Sequence, residues 1–142
     1  IMFSESQVRS MGRTAAGVRG ISLAKDDYVV GVDKYRMGAE AFMVTENGYG
    51  KKTPLEEFKQ QNRGGKGLKT INVDSKNGPI VGFKIVAEGE ELVILTSEGH
   101  IIRLETGDIS TQKRYSRGVV LMRTSDSDRV AAVARFKIEK EE

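Results

Sequence analysis

The sequence contains no cysteine and no tryptophan, and only two prolines and one histidine in 142 residues. The absence of cysteine excludes a disulfide framework and a thiolate metal site, which makes a reducing cytoplasm the expected compartment. The sequence has a single histidine and contains neither a Walker loop nor a Ser-His-Asp set, so it shows no pattern typical of a catalytic site. No apolar run approaches the ~18 residues that a membrane span requires. We therefore expect no catalysis, no bound metal and no membrane partner.

The residues that are abundant favour an all-β chain. Valine and isoleucine number 24 against seven leucines, and 16 glycines are spread between short apolar segments. β-Branched residues pack well on a pleated sheet, and glycine allows the tight turns that join short strands. A length of 142 residues fits one domain or part of a repeat array.

The sequence repeats itself. A pattern R-x-x-x-G occurs at residues 13–17, 63–67 and 114–118, with spacings of 50 and 51 residues. Each occurrence leads into a β-rich segment and then into a second one, so each predicts a pair of strands. The predicted strands are residues 18–23, 68–73 and 119–124, followed by residues 28–32, 79–83 and 129–133.

A β-hairpin is predicted ahead of the second and third occurrences. Residues 41–53 and 92–104 align with each other, and both contain a strand, a turn with glycine and a second strand. The first copy lacks this hairpin, because Ile1 already aligns with Lys51. We therefore expect roughly two and a half copies, which form a fragment of a longer chain.

A short connector joins each hairpin to the R-x-x-x-G pattern. Residues 4–7 and 53–56 carry the capping signals that begin a helix. They predict a single helical turn in each copy, followed by an apolar anchor at Val8, Phe58 and Ile109.

A period near 50 residues with four short strands is typical of a propeller-like architecture. One such sheet cannot bury both faces alone, so we expect the sheets to pack face to face. The predicted division is the end of one blade in residues 1–26, a second blade in 27–76, and the last blade with its tail in 77–142. Gly31 and Gly82 hold equivalent positions and predict close strand packing.

Positive charge is concentrated at the repeated pattern. We define frames 1, 2 and 3 as residues 9–19, 63–69 and 113–123; together they hold ten of the 23 basic residues and none of the 20 acidic residues. These ten cations, hereafter the basic band, are Arg9, Arg13, Arg19, Arg63, Lys66, Lys69, Lys113, Arg114, Arg117 and Arg123. Because solvated surfaces usually mix both signs, the basic band predicts contact with a polyanion, and duplex DNA is the natural candidate.

Frame 2 is rich in glycine, and its glycines are expected to let backbone N–H groups approach phosphate. Their positions are Gly64, Gly65 and Gly67. We therefore expect frame 2 to contribute most to DNA binding, whereas the alternative interpretation of each frame is a purely structural turn. Lys51 and Lys52 follow the first hairpin turn and are further candidates for DNA contact, or else guards of a strand edge.

Several of these motifs resemble one family. The stretches GVRGI, TENGYGKKT, NRGGKG and NGPIVG are similar, in order and spacing, to the carboxy-terminal domain of bacterial DNA gyrase A subunits, and topoisomerase IV carries a related domain. The resemblance covers essentially the whole chain. It implies a partial β-pinwheel, a propeller-like disc with strands exchanged between blades and DNA bent around its basic edge. Residues 61–67 resemble the family's QRRGGKG box except at Asn62, and residues 137–142 resemble the start of its acidic tail.

The resemblance also implies a function and partners. It implies sequence-neutral binding and bending of double-stranded DNA, in support of ATP-dependent supercoiling by a parent type IIA topoisomerase near the bacterial nucleoid. The implied partners are the gyrase A catalytic domain and the gyrase B subunit, and no cofactor is expected in this chain. The alternatives are the equivalent topoisomerase IV domain, used for substrate selection, and a protein-interaction propeller. The acid-free frames argue against the last of these, because a docking face would present aromatic and apolar anchors.

Overall fold

The computed structural model describes residues 1–138, in which seven strands and three short 3-10 turns form an all-β fold. The strands are β1 (Glu40–Thr45), β2 (Tyr49–Pro54), β3 (Ile80–Val86), β4 (Glu90–Thr96), β5 (Ile101–Glu105), β6 (Val119–Val120) and β7 (Val130–Lys137). The first sheet has the strand order β3-β1-β2-β6 and the second sheet the order β5-β4-β7, with all pairs antiparallel. The all-β prediction is confirmed. Residues 139–142 of the predicted acidic tail lie outside the described residues.

The two predicted hairpins are both present. In the first, β1 pairs with β2 from Glu40 opposite Pro54 to Val44 opposite Gly50. In the second, β4 pairs with β5, and Leu92 lies opposite Leu104. Each hairpin then takes its third strand from the far end of its own repeat, because β3 pairs with β1 and β7 pairs with β4.

The first sheet also receives a strand from the next copy. Strand β6, which lies in frame 3, pairs with β2 through Val120 opposite Tyr49 and Val119 opposite Gly50. Neighbouring copies therefore exchange a strand, as the resemblance to a β-pinwheel implied. The predicted division between residues 76 and 77 does not coincide with the sheets, because β3 follows residue 76 and joins the first sheet.

Several predicted strands do not form. Residues 18–23 and 68–73 lie outside both sheets, and of residues 119–124 only Val119–Val120 is a strand. Residues 28–32 also form no strand. Their equivalents in the later copies pair with hairpin strands β1 and β4, and copy 1 has no such hairpin among residues 1–138. A strand without a partner cannot satisfy its backbone by a ladder.

The connectors form one 3-10 turn in each copy, at Glu5–Gln7, Leu55–Glu57 and Thr106–Asp108. This confirms the predicted turns. The anchor that follows is buried at Ile109 and partly buried at Phe58, but Val8 is 48% exposed. The predicted anchor at Val8 is therefore wrong.

The main core lies between the two sheets. Phe42 and Val44 of β1 pack there with Leu92 and Ile94 of β4, and all four are fully buried. Burying a side chain of this size contributes about 1.5–3 kcal/mol. A second cluster on the other face of the first sheet is centred on buried alanine, methionine, leucine and isoleucine residues. No described helix is long and apolar enough to cross a membrane.

Candidate nucleic-acid interface

The three frames lie side by side. The backbone N–H of Gly64 in frame 2 donates to the carbonyl of Gly20, which follows frame 1, at 2.8 Å. Ser22 donates to the carbonyl of Gly65 at 2.9 Å. The next junction repeats this second bond, because the N–H of Asn72 donates to the carbonyl of Ser116 at 3.0 Å. The basic band is therefore carried on three loops that adjoin one another in chain order.

Most cations of the basic band are exposed. The exposed members are Arg9, Arg13, Arg19, Lys66, Lys69, Lys113, Arg117 and Arg123. Among residues 1–138, one of them has an acidic partner, because Arg117 forms an ion pair with Asp74. The ammonium of Lys69 donates to the side-chain oxygen of Asn72 at 3.2 Å. The remaining six side chains can approach an external anion.

Arg63 and Arg114 differ from the other cations of the basic band. Both are partly buried, and their guanidinium groups donate to backbone carbonyls of the preceding copy. The guanidinium of Arg63, predicted as part of a band that contacts DNA, is instead occupied within the fold. Its Nε donates to the carbonyl of Gln7 at 3.1 Å and its Nη1 to the carbonyl of Arg19 at 2.7 Å.

Lys51 is fully buried, which contradicts its prediction as a DNA contact. Its ammonium donates to the backbone carbonyls of Lys113 at 2.6 Å, Arg114 at 2.9 Å and Ser116 at 3.3 Å. Burial lowers the pKa of Lys51 to about 8, while Glu57 opposes that shift and Arg114 adds to it. Lys51 holds frame 3 in place from the inside.

Lys52 is also turned away from an external ligand. It is 8% exposed, and its ammonium lies 3.2 Å from Oε1 of Glu40. Its backbone N–H donates to the carbonyl of Ser110, and its own carbonyl accepts from the N–H of Gln112. Both of its backbone groups and its charge are thus used within the fold, so the prediction of a DNA contact is wrong here too.

The glycines of frame 2 pack against copy 1. The N–H of Gly64 is already used by Gly20, so it is not a free donor for phosphate. Gly67 has φ +77°, and a Cβ there would lie 3.2 Å from the Cβ of Ile1. These glycines permit a left-handed turn and close approach between copies. The idea that Gly64 offers its amide to phosphate is therefore not supported.

Two further cations, which lie outside the three frames, are candidates for the same interface. Lys76 and Arg129 line a shallow groove of about 450 Å³ together with Arg123. One nitrogen of the Arg129 guanidinium donates to the carbonyls of Asp126 and Asp128. Lys76 follows frame 2 in the Asp-Ser-Lys-Asn-Gly turn, and a count of cations confined to the R-x-x-x-G frames misses it.

His100 lies beside Asp128, with Nδ1 and Oδ2 3.0 Å apart. Glu98 is close enough that one ligand atom from each of the three residues falls within 4.8 Å of the others. Asp128 is buried and already accepts the backbone N–H groups of Glu98 and Arg129. Burial alone would raise the pKa of Asp128, but hydrogen bonds from Thr96, His100 and these two amides hold it well below its usual range. Through these hydrogen bonds the carboxylate of Asp128 stabilises the turn of the second hairpin.

The chain is similar to known proteins over its whole length. The family model described as DNA gyrase C-terminal domain, beta-propeller, matches residues 1–35, 39–87 and 90–137. Among curated proteins, the DNA gyrase A protein of Staphylococcus epidermidis is 48% identical over 98% of this chain, and that of Staphylococcus aureus is 45% identical over all of it. The chain spans 16% of the length of these relatives.

Solved structures show the same likeness. The C-terminal domain of a DNA topoisomerase IV has a TM-score of 0.90 at 28% identity, over 96% of this chain and 43% of that one. A DNA gyrase A C-terminal domain has a TM-score of 0.87 at 28% identity, over 94% of this chain and 46% of that one. The two complete matched stretches, 39–87 and 90–137, each contain one hairpin and its third strand. The chain belongs to the DNA gyrase C-terminal domain family of beta-propellers.

Proposed function

We propose that this chain binds duplex DNA along the basic band, without sequence preference, and bends it in support of supercoiling by a parent DNA gyrase. The observation that carries the proposal is the row of exposed cations on three adjoining, acid-free loops. Lysine and arginine side chains of this kind make phosphate contacts, which carry no sequence information. The partners that this function requires are the gyrase A catalytic domain and the gyrase B protein.

The exposed cations of the three frames suit an extended, bent duplex better than a single small anion. The frames follow one another through backbone hydrogen bonds, so their cations are presented in order along an edge. Bending stiff DNA costs energy that must be offset by contacts distributed along the arc. We therefore expect DNA bending by this chain to be smaller than bending by a longer chain with more copies.

A matched pair of double variants tests whether position or total charge matters. Lys66→Ala with Lys113→Ala removes two exposed lysines from frames 2 and 3, whereas Lys25→Ala with Lys34→Ala removes two exposed lysines outside the frames. The two variants have the same net charge. The proposal expects much weaker duplex binding by the first variant and a small change in the second. Equal losses would overturn the proposal, because they would show a general charge effect.

The second candidate is the equivalent domain of topoisomerase IV, and the TM-score of 0.90 to such a domain favours it. The curated relatives favour gyrase. A plasmid assay with the full parent protein and its ATPase partner separates the two. Introduction of negative supercoils supports gyrase, and decatenation without supercoiling supports topoisomerase IV.

A further inference from the structure

The first arginine of frame 2 is fastened to copy 1. The Nη1 of Arg63 donates to the carbonyl of Arg19, 44 residues earlier, and its Nε donates to the carbonyl of Gln7. A guanidinium presents several donors in a fixed fork, so one side chain can hold two carbonyls at once. Frame 1 and frame 2 are thereby held at a defined separation.

The first arginine of frame 3 makes the equivalent contact. The Nη1 of Arg114 donates to the carbonyl of Lys69, 45 residues earlier, at 3.0 Å. Lys69 is the repeat equivalent of Arg19, so the same carbonyl of each frame receives the arginine of the following frame. A contact that recurs at both junctions is a feature of the repeat.

The last residue of each of the first two 3-10 turns completes the contact. Oε1 of Gln7 accepts the backbone N–H of Arg63 at 2.7 Å, and Oε2 of Glu57 accepts the backbone N–H of Arg114 at 3.1 Å. Gln7 and Glu57 are again repeat equivalents, each at the end of its turn. A glutamine and a glutamate make the same contact, so the contact itself requires an acceptor oxygen, while the charge of Glu57 acts in addition on the buried Lys51.

We propose that these paired contacts form a staple that positions the exposed cations of neighbouring frames for DNA. The positioning residues are then Arg63, Arg114, Gln7 and Glu57. Replacing any of them weakens DNA binding without removing a phosphate contact. The proposal rests on the proposed DNA-binding function. It explains why the arginine of the pattern recurs in frames 2 and 3, while the residues that follow it vary.

Glu57 allows a sharp test, because two accounts predict opposite results. If only the electrostatic potential of the protein surface determined DNA binding, removing an acidic residue beside frame 3 would strengthen it. If Glu57 positions frame 3, its removal frees the N–H of Arg114 and weakens DNA binding. Its neighbour Glu56 is exposed and its side chain makes no hydrogen bond within the described part of the chain, so Glu56→Ala is a control with the same charge change.

The experiment measures the affinity of the chain and its variants for one duplex at a fixed salt concentration. We expect Glu57→Ala to weaken binding about threefold to tenfold, the range for one lost hydrogen bond. Glu56→Ala should bind as well as the parent or more tightly. Glu57→Gln should restore binding, because copy 1 uses glutamine at this position. Binding by Glu57→Ala as tight as that by Glu56→Ala would overturn the proposal.

Arg63→Lys provides a second test that keeps the charge. A lysine ammonium donates from a single nitrogen, so it cannot reproduce the two separate positions, Nε and Nη1, from which Arg63 donates to the carbonyls of Gln7 and Arg19. The staple predicts weaker DNA binding by Arg63→Lys. Binding equal to that of the parent would show that only charge is needed at Arg63, and would overturn the proposal.

Amide hydrogen exchange without DNA separates the staple from the proposed function. The N–H of Arg114 should be protected in the parent and in Glu57→Gln, and should exchange faster in Glu57→Ala. Unchanged exchange in Glu57→Ala would overturn the staple itself. If the unmodified chain binds no duplex at low salt, the proposed DNA-binding function is wrong, and so is the positioning role. The exchange result would still show whether the staple exists.

Discussion

The ammonium nitrogen of Lys51 lies 2.6 Å from the backbone carbonyl oxygen of Lys113, so a buried cation on the first hairpin holds the start of frame 3. Two further carbonyls, of Arg114 and Ser116, accept from the same ammonium. Lys51, which the sequence predicts as a DNA contact, thus organises the loop that carries Lys113, Arg117 and Arg123.

Lys51→Met tests this internal role. Methionine keeps the apolar stem but leaves buried carbonyls without their donor, which costs about 1–3 kcal/mol. We expect that loss in the free energy of unfolding, measured by urea denaturation at neutral pH. A variant as stable as the parent would show that water or backbone rearrangement satisfies these carbonyls equally well.

Lys51 also predicts a pH dependence. Burial lowers its pKa to about 8, below the ordinary value of about 10.4, so the unfolded chain holds the proton more tightly. The free energy of unfolding should therefore rise between about pH 8 and pH 10, by on the order of 2 kcal/mol. The measurement is the difference between the parent and Lys51→Met across that range, which cancels other titrating groups. A difference that is constant with pH would contradict the prediction.

Frame 1 should contribute at least as much to DNA binding as frame 2. Frame 1 presents three exposed arginines, whereas Arg63 of frame 2 is occupied by backbone carbonyls. We expect Arg13→Ala with Arg19→Ala to weaken binding at least as much as Lys66→Ala with Lys69→Ala. This reverses the expectation from sequence that frame 2 dominates. A larger loss in the frame 2 variant would restore the original expectation.

Gly82→Ala should destabilise the fold. A Cβ at this position would lie 2.7 Å from Cγ1 of Val133 and 2.8 Å from Cγ1 of Val44, between the two sheets. Overpacking of this kind costs about 1–3 kcal/mol. Gly12→Ala is the control, because nothing lies within 4 Å of its added Cβ. Equal melting temperatures for the two variants would refute close packing at Gly82.

Asp128 should contribute stability that acid removes. Although burial opposes it, hydrogen bonds hold the pKa of its carboxyl below the usual range. A lowered pKa gives stability that is present above about pH 4, the ordinary value for aspartate, and is lost as the pH falls below it. We expect acid unfolding of Asp128→Asn to lack this part of the pH dependence. Identical acid titrations of the parent and the variant would contradict the assignment.

The repeat, the hairpins and the 3-10 turns could be predicted from the sequence, because turn glycines, capping residues and alternating strands act locally. The repeat also carries a signal at Lys51, since the equivalent residues Ile1 and Ile102 are both apolar. The residue type alone favours the opposite prediction, because lysine is usually exposed. An alignment of the copies by side-chain character would have indicated burial.

The role of the frame arginines could not be predicted in the same way. Charge indicates attraction to anions, but it does not indicate whether a guanidinium meets phosphate or a backbone carbonyl. That choice depends on how neighbouring copies stack, which places the carbonyls of Arg19 and Lys69 within reach of the next frame. The absence of strands at residues 18–23 and 68–73 has the same origin, because pairing depends on partners far along the chain.

The salt dependence of duplex binding tests the central claim most directly. Six exposed cations of the basic band have no side-chain partner among residues 1–138, and each engaged phosphate contributes about −0.9 to the slope of log K against log salt. With most of them engaged, we expect a slope of about −4 to −5 and equal affinity for duplexes of unrelated sequence. A slope near zero, or strong preference for one sequence, would contradict the account of the basic band as a phosphate-binding edge.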